Sequence, residues 1–141
     1  GAASAYRAQV YAHGLSAPVP VAASALRALR PEGKLIAVFE PRSATACRSL
    51  HQAEYVDGFA GADRVIFAPL GRSDIDPAER LDLEALAKAL EARGVRATAA
   101  PSVEAIVDDL KAEARPGDTI ALLSNGACGG IYDKLRVALA Q

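Results

Sequence analysis

Short uninterrupted apolar runs alternate along this chain with longer stretches in which apolar residues recur at helical spacing. A strand buried on both faces of a sheet gives a continuous apolar run, whereas a helix packed on one side gives apolar residues three and four positions apart. The clearest run lies between Gly33 and Pro41. The pattern predicts strands at residues 7–11, 34–39, 64–69, 95–99 and 119–124.

Helices are predicted between and after these strands. Asp82 and Ser102 are expected N-caps, because a short polar side chain accepts a hydrogen bond from the free N–H groups of the first turn. Gly94 is expected just past a helix end, where a left-handed backbone is common. The predicted helices are residues 21–30, 45–59, 83–93, 103–114 and 130–140.

Strands that alternate with helices of this length need crossover connections, which are right-handed between parallel strands. We therefore predict an α/β fold: a three-layer, doubly wound, mostly parallel sheet of about five strands. The 141 residues fit one domain spanning 1–141, with residues 1–5 a linker or a cloning remnant. With only four Tyr, three Phe and no Trp, the core is expected to consist mainly of Ala, Leu, Val and Ile.

Charge and composition exclude several classes of function. A net charge of −1 without a basic stripe gives no reason to expect nucleic acid or an anionic membrane surface, and no apolar run is long enough to span a bilayer. The histidines, His13 and His51, and the cysteines, Cys47 and Cys128, lack the spacing of metal ligands. We see no signal peptide and expect a cytoplasmic protein with reduced thiols, no metal site and no catalytic residue of its own.

The strongest candidate for a binding site is the turn at residues 124–131. Its glycines allow the backbone to turn tightly and to approach a ligand, and the following helix start offers free N–H groups to a carboxylate or phosphate. A tight turn without a ligand is the alternative. The turn has neither a phosphate-loop nor a dinucleotide-binding signature.

A second candidate follows the strand that ends near Glu40. Arg42 could bind a carboxylate through two hydrogen bonds, supported by the hydroxyls of Ser43 and Thr45. The alternative is a surface arginine paired with Glu40 or another acid. Because ligands of such sheets meet the carboxyl ends of the strands, the two candidates belong at the same edge. The long polar loop at residues 69–77 is either a lid or an ordinary surface loop.

The two turns also carry a family resemblance. Residues 38–45 (Val-Phe-Glu-Pro-Arg-Ser-Ala-Thr), 123–126 (Leu-Ser-Asn-Gly), 129–131 (Gly-Gly-Ile) and 134–135 (Lys-Leu) resemble the C-terminal domain of Mur-type peptidoglycan ligases. Among these ligases the murein peptide ligases are the most similar, and the UDP-N-acetylmuramate–L-alanine ligases come next. The resemblance runs from about residue 26 to residue 139.

The resemblance implies a substrate-binding domain of an ATP- and magnesium-dependent ligase of peptidoglycan recycling. The complete enzyme would join a peptide amine to UDP-N-acetylmuramate, with a companion domain binding ATP. This domain alone would bind no cofactor and would be inactive. Its implied partners are UDP-N-acetylmuramate and a muramoyl tripeptide-type substrate, with no nucleic acid and no membrane. By position, the resemblance assigns substrate binding to Arg42, Ser43, Thr45, Ser124, Asn125, Gly126 and Gly129.

An alternative function stays open at this point. Family members usually carry Asp-Asp-x-Ala-His-His-Pro before the first helix, and a gap-free placement puts Ala12, His13, Ser16 and Ala17 where two aspartates and two histidines are expected. This difference favours a degenerate or stand-alone Mur-ligase-like binding module without catalytic activity. A generic nucleotide-binding domain is disfavoured, because no phosphate-loop signature and no acid for a ribose are present.

Overall fold

A computed structural model provides the structure of the chain. It describes residues 8–13, 33–40, 56, 58–59, 61–69, 78, 82–115, 117–124 and 130–139. The predicted helix at residues 21–30, most of the predicted helix at 45–59 and the polar loop at 69–77, except its first residue, lie outside the described residues.

The described residues form a five-stranded sheet in which every pairing is parallel. The strands are β1 (Ala8–His13), β2 (Leu35–Glu40), β3 (Arg64–Phe67), β4 (Arg96–Ala99) and β5 (Asp118–Ser124). Their order across the sheet is β1-β5-β2-β3-β4, so the last strand inserts between the first two. The predicted parallel α/β architecture is confirmed. The largest differences are at strand ends: β1 runs to His13 instead of residue 11, and β3 ends at Phe67 instead of residue 69.

Three helices are described in full: α1 (Leu83–Ala92), α2 (Val103–Glu113) and α3 (Ile131–Leu139). The predicted caps are confirmed. The Asp82 carboxylate accepts the N–H of Ala85, and the Ser102 hydroxyl accepts the N–H of Ala105. At the end of α1, Gly94 takes φ +84°, and the N–H groups of Gly94 and Val95 bond back to the carbonyls of Glu91 and Leu90. This is the Schellman arrangement, which satisfies carbonyls that the helix leaves free.

Alternate residues of the strands face two separate cores. The first face of the sheet, which carries Leu35, Ala37 and Phe39 of β2, packs against α1 and against Phe59 and Val56, which have helical backbone. The second face, which carries Ile36 and Val38, packs against α2 and α3. Helices on both faces complete the predicted three layers. Burial of Phe59 and partial burial of Val56 agree with the predicted apolar side of the helix at 45–59.

Although the core is largely aliphatic as predicted, all three phenylalanines of the chain meet on the first face. Phe39, Phe59 and Phe67 are each fully buried, and their ring centroids lie 5.6 to 6.4 Å apart in tilted and edge-on pairs. Tilted and edge-on pairs stabilise the fold through contacts between the rings, in addition to the contribution of the apolar area that the rings bury. The aromatic cluster joins β2 and β3 to the helical segment between them.

Backbone groups at the amino ends of the strands are held by the carboxylates of buried Asp118 and exposed Asp63. The Asp118 carboxylate accepts the N–H groups of Lys34 and Arg115 at 3.1 and 2.9 Å, and the Asp63 carboxylate accepts the N–H of Leu35 at 2.7 Å. Two turns touch here as well, since Gly33, with φ +75°, lies directly against the backbone of Gly117. Asp63 therefore orders the start of β2.

A cluster of charges covers the same amino rim. Arg64, of which 9% of the side chain is exposed, pairs with Glu113 at the end of α2 and with Asp109 at 3.5 Å. Glu113 also pairs with Lys34 at 3.6 Å and with Arg96 at 3.2 Å. The cluster ties α2 to the amino ends of β2, β3 and β4. Asp109 is exposed, but it belongs to this cluster.

Strand β4 is an edge strand of the described sheet, and one of its outward N–H groups is covered. The N–H of Ala100 bonds to the Phe67 carbonyl of β3, so the N–H of Ala97, three residues earlier, points away from that strand. The Glu91 carboxylate of α1 accepts this N–H at 3.0 Å. A side chain of the preceding helix thus occupies a donor that a sheet edge normally leaves open.

Thr119 offers a test of the core. It is 1% exposed, it lies on β5 between Gln9 and Leu35, and among the described residues its hydroxyl has no hydrogen-bond partner. Because a buried hydroxyl without a partner is unfavourable, Thr119→Val is expected to raise the free energy of unfolding by about 1 kcal/mol. Urea unfolding followed by circular dichroism measures the change.

The matched control for this test is Thr98→Val on the exposed side of β4. That replacement is expected to change the free energy of unfolding by no more than about 0.5 kcal/mol. A loss of stability in Thr119→Val larger than that of the control would mean that the hydroxyl has a partner after all.

Candidate functional site

Both predicted binding turns start at one place on the sheet. Glu40, the last residue of β2, is the register partner of Ser124, the last residue of β5, and the two strands are hydrogen-bonded neighbours. Adjacent strands lie about 4.8 Å apart. The chain therefore leaves β2 toward Arg42 and leaves β5 toward Asn125 from neighbouring points on the carboxyl rim.

The two connections then go to opposite faces of the sheet. The chain after β2 reaches Val56 and Phe59, which pack on the first face. The chain after β5 reaches Ile131 and Leu135 of α3, which pack on the second face. Where neighbouring parallel strands send their connections to opposite faces, a crevice opens between them at the carboxyl ends, and this is where open α/β sheets bind ligands. The crevice between Glu40 and Ser124 is the candidate site.

The substrate contacts themselves stay predictions. The backbone of Ser124 is described, whereas Arg42, Ser43, Thr45, Asn125, Gly126 and Gly129 lie outside the described residues. The structure thus brings together the end of β2, which precedes Arg42, and the end of β5, which precedes Asn125.

His13 is also at this rim. It is the last residue of β1 and the register partner of Leu123, one residue before Ser124. In the sequence, His13 lacks the spacing of a metal ligand and is one of the four positions at which the expected Asp-Asp-x-Ala-His-His-Pro segment differs. Across the part of the chain that the structure describes, no group of three His, Cys, Asp or Glu side chains is arranged to hold a metal ion.

Glu40 is the residue that sequence reasoning undervalued. It was considered only as a possible partner of Arg42, yet it is 7% exposed at the carboxyl end of a central strand. An acid at the end of an otherwise apolar run is the signal that could have singled it out. The carboxyl rim therefore has a buried acid next to Ser124.

Two residues of the family motif have structural roles. Leu135 of α3 is fully buried on the second face, and the Lys134 ammonium pairs with the Glu104 carboxylate of α2 at 3.2 Å. A backbone hydrogen bond in the first turn of α2, and then Lys134, lower the pKa of Glu104 below its usual value. Leu135 therefore anchors α3 in the second core, and the exposed Lys134–Glu104 pair joins α3 to α2 at the surface. Among the described residues no helix is long and apolar enough to cross a membrane.

The parallel sheet with helices on both faces defines a doubly wound α/β domain. Comparison with known protein families identifies the family to which this domain belongs. The family described as "Mur ligase, glutamate ligase domain" matches residues 10–126. The chain belongs to this family and is a Mur ligase C-terminal domain.

Curated relatives are UDP-N-acetylmuramate–L-alanine ligases. The protein of Azorhizobium caulinodans is 38% identical over 112 residues, which cover 77% of this chain and 24% of the relative. The protein of Caulobacter vibrioides is 37% identical over 112 residues, with the same two coverages. The chain thus spans about a quarter of the length of these relatives.

Solved structures of murein peptide ligases share the fold. A domain from a putative UDP-N-acetylmuramate:L-alanyl-γ-D-glutamyl-meso-diaminopimelate ligase of Haemophilus ducreyi superposes with a TM-score of 0.69 at 26% identity, covering 95% of this chain and 93% of that one. A murein peptide ligase of Psychrobacter arcticus gives a TM-score of 0.71 at 22% identity over 96% of this chain and 28% of that one, which shows the fold alone.

Proposed function

We propose that this domain binds the amine-bearing substrate of an ATP-dependent ligase that joins a peptide to UDP-N-acetylmuramate in peptidoglycan recycling. The observation that carries the proposal is the register pairing of Glu40 with Ser124, because it starts both candidate binding turns at one crevice. The similarity to a ligase domain from Haemophilus ducreyi over 95% of the chain supports it.

In the proposed site, Arg42 holds a carboxylate of the peptide through a two-bond contact, and Ser43 and Thr45 add hydroxyl donors. Ser124 and Asn125 hold a second carboxylate, with Gly126 and Gly129 giving the backbone access to it. The domain contributes binding and orientation, since placing the amine beside an activated carboxylate supplies much of the rate. ATP and magnesium act in the companion domain, and the complete ligase works in the cytoplasm.

A second candidate substrate is L-alanine itself. The curated relatives at 37% to 38% identity are named as L-alanine ligases, whereas the murein peptide ligases that share the fold are 22% to 26% identical. L-Alanine offers one carboxylate and the tripeptide several, so the peptide would engage both turns and L-alanine only one. Calorimetric titration of the folded domain with each compound distinguishes the two.

Arg42→Ala provides the direct test of the site. It is expected to weaken binding of L-alanyl-γ-D-glutamyl-meso-diaminopimelate by about 1 to 3 kcal/mol, because a charge-assisted two-bond contact to a carboxylate is lost. The control is Arg136→Ala, an exposed arginine of α3 that pairs with Asp133. Isothermal titration calorimetry on both variants and the wild type gives the comparison.

Three results are informative. Unchanged affinity in Arg42→Ala would remove Arg42 from the site. Binding of L-alanine but not of the peptide would favour the second candidate. If the folded wild type binds neither compound at millimolar concentration, the degenerate module without substrate binding becomes the better description.

A further inference from the structure

The start of β2 is bonded on both sides to an aspartate. The Asp118 carboxylate accepts the N–H of Lys34 at 3.1 Å, and the next N–H, that of Thr119, donates to the Lys34 carbonyl at 2.8 Å. On the other side the Asp63 carboxylate accepts the N–H of Leu35 at 2.7 Å, and the N–H of Asp63 donates to the Leu35 carbonyl at 2.9 Å. Two successive residues of β2 thus have all four backbone polar groups bonded to these two segments.

The two aspartates occupy matching places in the sheet. Asp118 is the first residue of β5, and Asp63 directly precedes the first residue of β3. Strands β5 and β3 are the two neighbours of β2. The same kind of contact therefore occurs twice, once on each side of the central strand and at the same end of it.

The apolar pattern of β2 specifies its faces more strongly than its register. Residues 35–39 are all apolar and between 0% and 2% exposed, and residues 65–67 and 120–121 of the neighbouring strands are fully buried as well. Side chains alternate with a period of two, so a shift of two residues keeps each side chain on its own face. In a strand covered on both faces, such a shift replaces one buried apolar residue with another.

Contacts at one end of a strand act on the whole ladder, because register is a whole number of residues. An alignment fixed at the start of a strand persists to its end unless a bulge intervenes. The pairing of β2 with β5 runs without interruption from Leu35 with Thr119 to Glu40 with Ser124. The alignment at the amino rim therefore determines which residues lie side by side at the carboxyl rim.

We propose that Asp63 and Asp118 form a register clamp, in which the two carboxylates select one alignment of β2 with β3 and β5. Through the uninterrupted ladder the register clamp also fixes the pairing of Glu40 with Ser124, where the candidate site begins. The proposal concerns strand alignment and does not rest on the proposed function.

The double variant Asp63→Ala/Asp118→Ala tests the register clamp, because it removes both side-chain acceptors. Nuclear magnetic resonance of the labelled domain detects the close approach of register partners. The cross-peaks between Leu35 and Thr119 and between Glu40 and Ser124 are expected to weaken, and the amides of β2 are expected to give a second set of signals along the whole strand. Changes confined to residues 34–36 would overturn the proposal, because they would show that the aspartates only prevent fraying of the strand start.

The matched control is Asp63→Asn/Asp118→Asn. It removes the same two charges, but the amide oxygen of asparagine still accepts the backbone N–H groups. One set of signals with the native register partners is expected. Equal spectra for the alanine and asparagine double variants would also overturn the proposal.

A second control separates register from stability. Leu110→Ala removes a fully buried side chain of the second core and lowers global stability without touching the aspartates. It is expected to keep one set of signals. A second set in this variant would show that any loss of stability mixes the registers.

If the double alanine variant does not fold, each position is tested alone. Asp118→Ala is expected to mix the pairing of β2 with β5, and Asp63→Ala that of β2 with β3, whereas asparagine at either position keeps the native pairing. The proposal fails if alanine and asparagine give the same result at both positions.

Discussion

Gly33→Ala is expected to lower the free energy of unfolding by about 3 kcal/mol, the largest effect anticipated for a change of one methyl group in this chain. A Cβ at position 33 would lie 2.2 Å from the carbonyl oxygen of Gly117 and 2.7 Å from its carbonyl carbon. Both atoms belong to the backbone of another turn, so no side-chain rotation can relieve the clash. The φ of +75° adds a conformational cost for any residue with a Cβ.

Gly94→Ala is the control that separates the two contributions. Gly94 has φ +84°, but a Cβ there would meet nothing within 4 Å. Its replacement is expected to cost about 1 kcal/mol, the conformational part alone. Chemical denaturation of both variants measures the difference in their free energies of unfolding. Equal losses of stability would show that the turns at Gly33 and Gly117 move apart without a cost in free energy.

Glu113→Gln is expected to destabilise the domain by about 2 to 3 kcal/mol, because it leaves the guanidinium of Arg64 buried with one weaker partner. The Arg64 side chain is 9% exposed and Glu113 is 13% exposed, so solvent screens their interaction little. Asp109, at 3.5 Å, is itself half exposed and compensates only in part. Thermal and urea unfolding give the change.

Glu104→Gln serves as the comparison for this second variant. Its ion pair with Lys134 also joins two elements, but both side chains lie in solvent, with 72% and 46% exposed. Exposed pairs are screened and contribute little. A Glu113 variant that loses no more stability than the Glu104 variant would show that the amino-rim cluster is dispensable.

The sequence predicted the described strands and helices well because their signals are local. Continuous apolar runs located the strands, and Asp82, Ser102 and Gly94 located helix ends through contacts with residues at most four positions away. The strand order was not readable in this way. The insertion of β5 between β1 and β2 depends on where a whole crossover packs, and only the class of topology follows from general rules.

The roles of the charged residues at the amino rim were not predicted, because their partners are distant in sequence. Asp118 bonds to the backbone of Lys34, 84 residues away in sequence, and Asp63 bonds to that of Leu35, 28 residues away. Arg64 was predicted only as the start of a strand. Contacts with such distant partners produce no periodic pattern in the sequence. A charged residue on the surface therefore cannot be distinguished in sequence from a buried one with a structural role.

The candidate site was predictable in position. Once the strands are parallel, the turns after β2 and β5 must leave from one rim, and the pairing of Glu40 with Ser124 confirms this. The choice of Arg42, Ser43, Thr45, Asn125, Gly126 and Gly129 rests on residue chemistry and family resemblance, and it awaits the binding measurements. Glu40 was undervalued because burial of an acid at a strand end becomes visible only in three dimensions.

The contact between Glu91 and the backbone of Ala97 has a consequence for self-association. A strand from another molecule could bond to the N–H of Ala97 only by displacing the Glu91 carboxylate. The displaced carboxylate would then lie close to the carbonyl oxygens of the incoming strand. Pairing of β4 with a strand of a second molecule is therefore less favourable at Ala97. The protection comes from a side chain of α1 and not from a proline in β4.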